Sequence, residues 1–303
     1  MNTGGRPSLQ TYLCILGTLI LWGAAFPAVR FGLMSAENAH GFTPGALALL
    51  RFLVSSAIAV TYLVATKQGL PRKQDIPRLL LAGFTGIFLY HFLFNFGELA
   101  VASGAAAALI ASSPIFVALL SVAFLKERLS LWGWAGVLCS FLGVLIIGFL
   151  DITGFKFDVY ALSLLGSALA TAIFFILSKD LLKWYSGMQF TCYAFIAGVI
   201  PLLVFAPSLA RELPTASSGA LLSALFLGVF PGFIGYSLWN IALIRMPATR
   251  LAVFLSTNPL FAATIAWVWL GEIPTALTVA GSTVAVFGVL LVQLLGEQQQ
   301  RDR

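Results

Sequence analysis

Long apolar runs, broken by short clusters of charge or of proline and glycine, recur along the whole chain. They fall at 10–34, 43–66, 78–100, 101–125 and 130–149, and again at 158–179, 187–206, 217–244, 248–271 and 275–296. A helix crosses the hydrocarbon core of a bilayer with about 20 apolar residues, so each run reads as a membrane-spanning helix. Ten such helices joined by short loops use most of the 303 residues and leave little for any soluble domain. The expectation is an all-α integral membrane protein with ten transmembrane helices, a single membrane domain over 1–303. The start of the chain, Met1 to Gln10, lacks the features of a removable signal peptide, so the first run is expected to stay as a membrane helix.

The two sets of runs repeat one another without a gap at an offset of 145 residues. Gly83 meets Gly228, Phe88 meets Phe233, Asn95 meets Asn240, Pro114 meets Pro259, Phe116 meets Phe261, Glu127 meets Glu272 and Gly136 meets Gly281. Gly143-Val144-Leu145 likewise meets Gly288-Val289-Leu290. This reads as a duplicated five-helix unit, repeat one at 1–152 and repeat two at 153–303. An odd number of spans per unit reverses the second unit in the membrane, which gives two inverted repeats. That architecture supports alternating access in secondary transporters, with substrate held between the halves near the midplane.

Composition agrees with lipid as the main solvent: 60% of residues are hydrophobic and 9% are charged, where a soluble domain carries charge on about a quarter of its positions. The net charge of +6 forms no patch that nucleic acid would need. It follows topology instead. With the N-terminus inside, thirteen of the 17 basic residues fall in cytoplasmic segments: Arg6, the 67–78 group, Lys126, Arg128, Lys179, Lys183, Arg245, Arg250, Arg301 and Arg303. Arg30, Lys156 and Arg211 lie outside, and Arg51 lies within the second run. This bias predicts that both termini lie in the cytoplasm. Cys14, Cys139 and Cys192 sit in apolar runs without metal-ligand spacing and read as small packing residues.

Several segments resemble a known family over nearly the whole chain. Trp22-Gly23-Ala24-Ala25-Phe26-Pro27 lies in the first run, and Ser112-Ser113-Pro114-Ile115-Phe116 leads on to Phe124-Leu125-Lys126-Glu127-Arg128-Leu129, then Gly136 and Gly143-Val144. A second ordered copy stands in Ser256-Thr257-Asn258-Pro259-Leu260-Phe261, Leu270-Gly271-Glu272 and Gly288-Val289. These resemble the drug/metabolite transporter superfamily, EamA type, and within it bacterial exporters of amino acids, aromatic ones especially. The resemblance implies a basket of ten helices around a central cavity and export of amino acids or related small metabolites. The second copy departs from the first in lacking the basic pair beside its glutamate, with Gly271 and Ile273 around Glu272.

The candidate substrate residues lie where polarity or a helix breaker falls inside an apolar run. Pro114 and Pro259 lack an N–H and crowd the carbonyls of Ile110 and Leu255, and Ser112, Ser113, Thr257 and Asn258 beside them can line a wet cavity. The alternative is a kink relieved by neighbouring helices. His91, Asn95 and Glu98 share one helical face at spacings of four and three, and Tyr236, Asn240 and Leu243 are their counterparts. Polar groups are costly against lipid, so both faces turn inward. His91 reads either as pathway lining or as a neutral packing histidine. Arg51 and Glu98 pair to fix helix packing, or Glu98 receives a substrate amine or a coupled proton. Trp22 is near midspan, and Tyr90, Phe175 and Trp239 are further lining candidates in a broad, mostly apolar cavity free of Lys and Arg.

An enzyme is the rival class. The chain has no phosphate-binding GxxxxGK loop, no H-E-x-x-H, no G-x-S-x-G and two histidines, His40 and His91, so no catalytic constellation, cofactor or metal is expected. Lacking an ATP motif, transport is facilitative or coupled to an ion such as the proton. Nucleotide-sugar or phosphorylated-sugar carriage is the alternative substrate class, and it calls for a cationic side chain in the cavity. The expected partners are a small-molecule substrate and the lipid bilayer.

Overall fold

The computed structural model describes residues 7–33, 40–101, 103–127, 129–146, 159–270 and 276–294. Arg6, Arg128, the 151–158 segment with Lys156, Gly271 to Ile273, Arg301 and Arg303 lie outside them. Within them the regular structure is helical apart from one bridge between Leu33 and Phe42. Among the described residues, six helical stretches are long and apolar enough to cross a membrane: Leu9–Gly32, Pro44–Ala65, Lys73–Gly97, Val159–Leu181, Gly187–Thr215 and Ser218–Arg245. Many of their leucines, valines and phenylalanines face outward, as lipid permits.

Helix α1 (Leu9–Gly32) starts at Ser8, whose hydroxyl accepts from the Thr11 N–H, and α2 (Pro44–Ala65) starts with proline at its first position, where the missing N–H costs nothing. The third stretch joins α3 (Ile76–Gly83), a π-helical segment Phe84–Leu89 and α4 (Tyr90–Gly97). The second half repeats this design in α11 (Ser218–Leu227), a π-helical segment Gly228–Gly235 and α12 (Tyr236–Arg245). A π segment spreads the backbone ladder and frees carbonyls for side chains. Here the Ser55 hydroxyl donates to Gly228 O (2.7 Å), Trp22 Nε1 to Pro231 O (3.0 Å) and the Tyr236 hydroxyl to Gly86 O (3.2 Å).

The fourth and ninth runs, in which Pro114 and Pro259 predict either a break or a relieved kink, are each divided. The fourth gives α5 (Ser103–Ile110) and α6 (Ser113–Phe124), separated at Ala111-Ser112. The ninth gives α13 (Ala248–Ala252), a 3-10 segment Val253–Thr257 and α14 (Asn258–Leu270). Pro114 and Pro259 therefore stand in the first turn of a new helix instead of kinking an old one. The Leu255 carbonyl is not left free either: tightening to a 3-10 turn lets it accept from the Asn258 N–H.

The remaining helices are α7 (Leu131–Leu145), α8 (Val159–Leu181), α9 (Gly187–Leu202), α10 (Ala206–Glu212) and α15 (Ala276–Leu294). Helices α7 and α15 approach backbone to backbone: a Cβ on Gly143 would stand 2.4 Å from Ala285 N, and one on Gly288 would stand 2.4 Å from Ser140 N. Only glycine permits this contact, the small-residue packing that replaces the hydrophobic effect between helices in lipid. The three cysteines are free, Cys14 and Cys192 buried and Cys139 half-buried.

Charge gathers at one end of the bundle. Arg78 pairs with Asp180 (2.8 Å), Lys183 with Asp180 (2.7 Å) and Arg72 with Asp75 (2.7 Å). Tyr185, between α8 and α9, donates to Asp75 (2.7 Å), and burial holds its phenol above the usual range. Glu127 accepts from the Ala248 N–H (2.8 Å) and the Thr249 hydroxyl (2.9 Å) at the start of α13, while Lys179 donates to the Leu243 and Met246 carbonyls at the end of α12. At the other end, Glu212 receives the Thr43 N–H and hydroxyl, both at 2.9 Å.

Candidate functional site

The helices surround a narrow cavity of about 50 Å³ lined by side chains from both halves of the chain. Trp22, Ala25 and Phe26 of α1 line it, as do Thr171, Phe174 and Phe175 of α8. Tyr90, His91 and Phe94 come from α4, with Gly86 from the π segment before it. Pro231 and Tyr236 contribute from the second π segment and α12. The two breaks supply Ala111 and Ser113 on one side and Leu255 and Asn258 on the other. Breaking a helix at the cavity is tolerable because the backbone there meets a space and not lipid.

Most of the lining is apolar and aromatic. Trp22 stands edge-on to Tyr236 with ring centroids 5.2 Å apart and lies 5.1 Å from Trp239, whose ring in turn lies tilted 4.9 Å from Phe175. Tyr90 lies parallel to Phe94 at 5.8 Å. Such pairs fix ring orientation by offset and edge contacts. Two acceptors in the wall, Ser113 Oγ and Asn258 Oδ1, are buried without a hydrogen-bond partner.

One polar chain crosses the site. Arg51 Nη1 lies 3.3 Å from His91 Nδ1, His91 Nε2 lies 3.0 Å from the Tyr236 hydroxyl, and that hydroxyl lies 3.2 Å from Gly86 O. Guanidinium groups only donate and carbonyls only accept, which orients every bond. Arg51 donates to Nδ1, the Nε2–H donates to the phenol oxygen, and the phenol proton points to Gly86. His91 is therefore a neutral imidazole with its proton on Nε2, and it also lines the cavity.

Seven residues singled out in the sequence meet at the cavity wall: Trp22, Tyr90, His91, Ser113, Phe175, Tyr236 and Asn258. The others sit behind or beside it. Trp239 is fully buried behind Trp22. Asn95 donates to the Pro44 carbonyl at the start of α2 (2.9 Å), and Asn240 donates to the Thr191 hydroxyl of α9 (2.9 Å), so both hold helix contacts. Ser112 and Thr257 donate to carbonyls three residues back, Leu109 and Phe254 (2.6 Å each), closing the turns at the breaks. Pro114 and Pro259 begin the helices after those breaks, and Glu98 is buried at the end of α4.

Arg51 corrects two expectations. The cavity is not free of basic side chains, because this one lines it. The ion pairs among the described residues do not include Arg51 with Glu98. Arg51 instead holds His91, the Leu227 carbonyl (3.5 Å) and the Phe52 ring (5.1 Å to the centroid). The signal was present in the sequence: an ionisable residue inside a span marks a functional site unless a partner shows otherwise.

A profile of the EamA-like transporter family matches residues 9–149 and 159–294. An uncharacterized transporter of Bacillus subtilis (strain 168), YdfC, is 38% identical over 275 residues, covering 90% of this chain and 88% of the relative. A probable terminal-alkyne amino-acid exporter of Streptantibioticus cattleyicolor is 33% identical, covering 93% of this chain and 94% of the relative. A probable amino-acid metabolite efflux pump of Salmonella typhimurium is 25% identical, covering 96% of each. A solved crystal structure superposes with a TM-score of 0.74 at 18% identity, covering 98% of this chain and 100% of that one, which shows the shared fold.

Proposed function

Since the chain belongs to the EamA-like transporter family, we propose that it exports amino acids, aromatic or large neutral ones, or closely related metabolites, by alternating access across a bacterial inner membrane. The observation that carries this reading is the cavity itself: an aromatic wall from α1, α4 and α8 with a few fixed polar atoms, matched to a molecule with one apolar and one polar end. Two relatives named as amino-acid exporter and amino-acid efflux pump lend support.

The proposed architecture is ten spans in two inverted repeats, 1–152 and 153–303. Three contacts support it. His91 bonds Tyr236, Cys139 bonds the Val284 carbonyl and Ser140 bonds the Ala285 carbonyl, and in each the partners are 145 residues apart. Residues touch their own counterparts only where they lie on the axis relating the repeats. The π segments and the breaks also recur at that offset. The basic bias supports cytoplasmic termini, and Arg78, Lys179 and Lys183, which that reading counts as cytoplasmic, lie together at one end of the bundle.

The test is counterflow of labelled phenylalanine, tryptophan, alanine and lysine through purified protein in liposomes, with and without a pH gradient. Phenylalanine and tryptophan should exchange fastest, and lysine slowest. Exchange of no amino acid at all sinks the substrate assignment. If the gradient drives uptake, Glu98→Gln should abolish the response while exchange at equal pH persists. The second reading is a carrier of phosphorylated or nucleotide sugars, and Arg51 in the cavity wall is the observation that favours it.

A further inference from the structure

Arg51 lies seven residues into α2, about 10 Å along the axis from its start. Its side chain is 1% exposed, and no carboxylate among the described residues lies within ion-pair distance of it. A permanent cation removed from water is costly unless an anion or a full set of acceptors meets it. The acceptors here are few: His91 Nδ1, the Leu227 carbonyl at 3.5 Å and the face of Phe52. The Arg51 Nε–H is buried and meets none.

The sequence offers cheaper ways to fill this position if packing were its only role. The chain around it is built from Leu, Ala and Phe, and helix contacts at both ends are made by neutral Asn95, Asn240 and serine side chains. A guanidinium whose Nη1 is held by a neutral histidine, and whose Nε edge lacks an acceptor, is an incomplete fork. A carboxylate completes it with two parallel N–H···O bonds.

We propose that Arg51 receives the carboxylate of the transported molecule, with His91 and Tyr236 holding the guanidinium in place and the aromatic wall taking the side chain. This rests on, and deepens, the amino-acid reading: the carboxylate, more than the amine, decides what is carried. His91 and Tyr236 are positioning residues. The Tyr236 hydroxyl fixes the imidazole by receiving Nε2–H, so that Nδ1 faces Arg51.

The test is competition against labelled phenylalanine by three unlabelled compounds, on wild-type protein in liposomes and on Arg51→Lys and Arg51→Gln. The compounds are 3-phenylpropionate, which lacks the amine; phenethylamine, which lacks the carboxylate; and glucose 6-phosphate. In the wild type, 3-phenylpropionate should compete within tenfold of phenylalanine, and phenethylamine at least tenfold more weakly. Arg51→Gln should lose tenfold or more in phenylalanine affinity and with it the preference for carboxylates, and Arg51→Lys should recover part of both. His91→Gln should weaken phenylalanine and 3-phenylpropionate alike and leave phenethylamine unchanged. A folded Arg51→Gln protein that keeps the wild-type preference overturns the assignment, and if that variant does not fold, phenethylamine competing as well as phenylalanine in the wild type does so. Binding of 3-phenylpropionate without phenylalanine, measured directly, leaves the carboxylate site standing and removes the amino-acid reading. Competition by glucose 6-phosphate alone overturns the site as drawn.

Discussion

Trp22 does two things at once, and they can be separated. Its ring is part of the cavity wall, and its Nε1–H holds the Pro231 carbonyl in the second π segment. Burying an aromatic ring is worth about 1.5 to 3 kcal/mol, so Trp22→Ala should slow counterflow of phenylalanine and tryptophan about tenfold or more, and that of alanine less. Trp22→Phe keeps a ring and loses the hydrogen bond. It should retain most aromatic exchange while lowering thermal stability by about 1 kcal/mol. Equal loss for alanine and tryptophan in Trp22→Ala would assign the residue to the fold alone. At this scale the sequence is legible where a polar or aromatic residue interrupts an apolar run. Arg51 misleads because a charge in a span is paired off most simply with an opposite charge in or at the edge of another span, and Glu98 is the one at hand.

Elements end here on side chains brought from elsewhere in the chain. Lys126, in the left-handed region at φ 56°, turns the chain after α6 so that Glu127 reaches the start of α13, where it takes the first N–H groups. Lys179 answers it by donating to the last carbonyls of α12, so the two charges match the positive and negative ends of the helices they touch. Glu127→Ala strands those N–H groups and should lower stability by about 1 to 2 kcal/mol, with faster hydrogen exchange at Ala248 and Thr249 than elsewhere. Unchanged exchange there would mean the cap carries nothing. The contact between α7 and α15 is less forgiving. A side chain at Gly143 meets the backbone of α15, so Gly143→Leu should prevent accumulation of folded protein, whereas Leu142→Ala, on the exposed face, should not. Apolar length reveals the helices but not the divisions in the fourth and ninth. Proline marks a break without saying whether the helix bends or starts anew, and that depends on whether a neighbour or a cavity receives the freed backbone.

For the whole molecule the arrangement is testable from either side of the membrane. A cysteine at Gln68, in the loop after α2, should react with an impermeant thiol reagent only from the cytoplasm, and one at Thr215 only from outside. The reverse pattern would invert the assigned mouths of the cavity. The charge bias supplies the direction, and the structure adds that these two positions belong to opposite ends of the bundle: Tyr193 reaches Gly69 at one, and Glu212 holds Thr43 at the other.

Transfer between water and lipid acts residue by residue, and the features it governs are legible in the chain without its fold. Apolar runs and their length report a local free energy that no tertiary contact changes, and the basic bias and the 145-residue echo are read from the order of residues alone. Which polar residues meet one another is a matter of packing. His91, Asn95 and Glu98 share a helical face, yet one lines the cavity, one bonds the Pro44 carbonyl and one is buried at a helix end. The face a helix presents is set by period, but what stands opposite it is set by how α2, α8 and α12 pack, through backbone contacts at glycine and carbonyls released by π segments. Arg51 took its partners from that packing, His91 from forty residues away and Leu227 from 176.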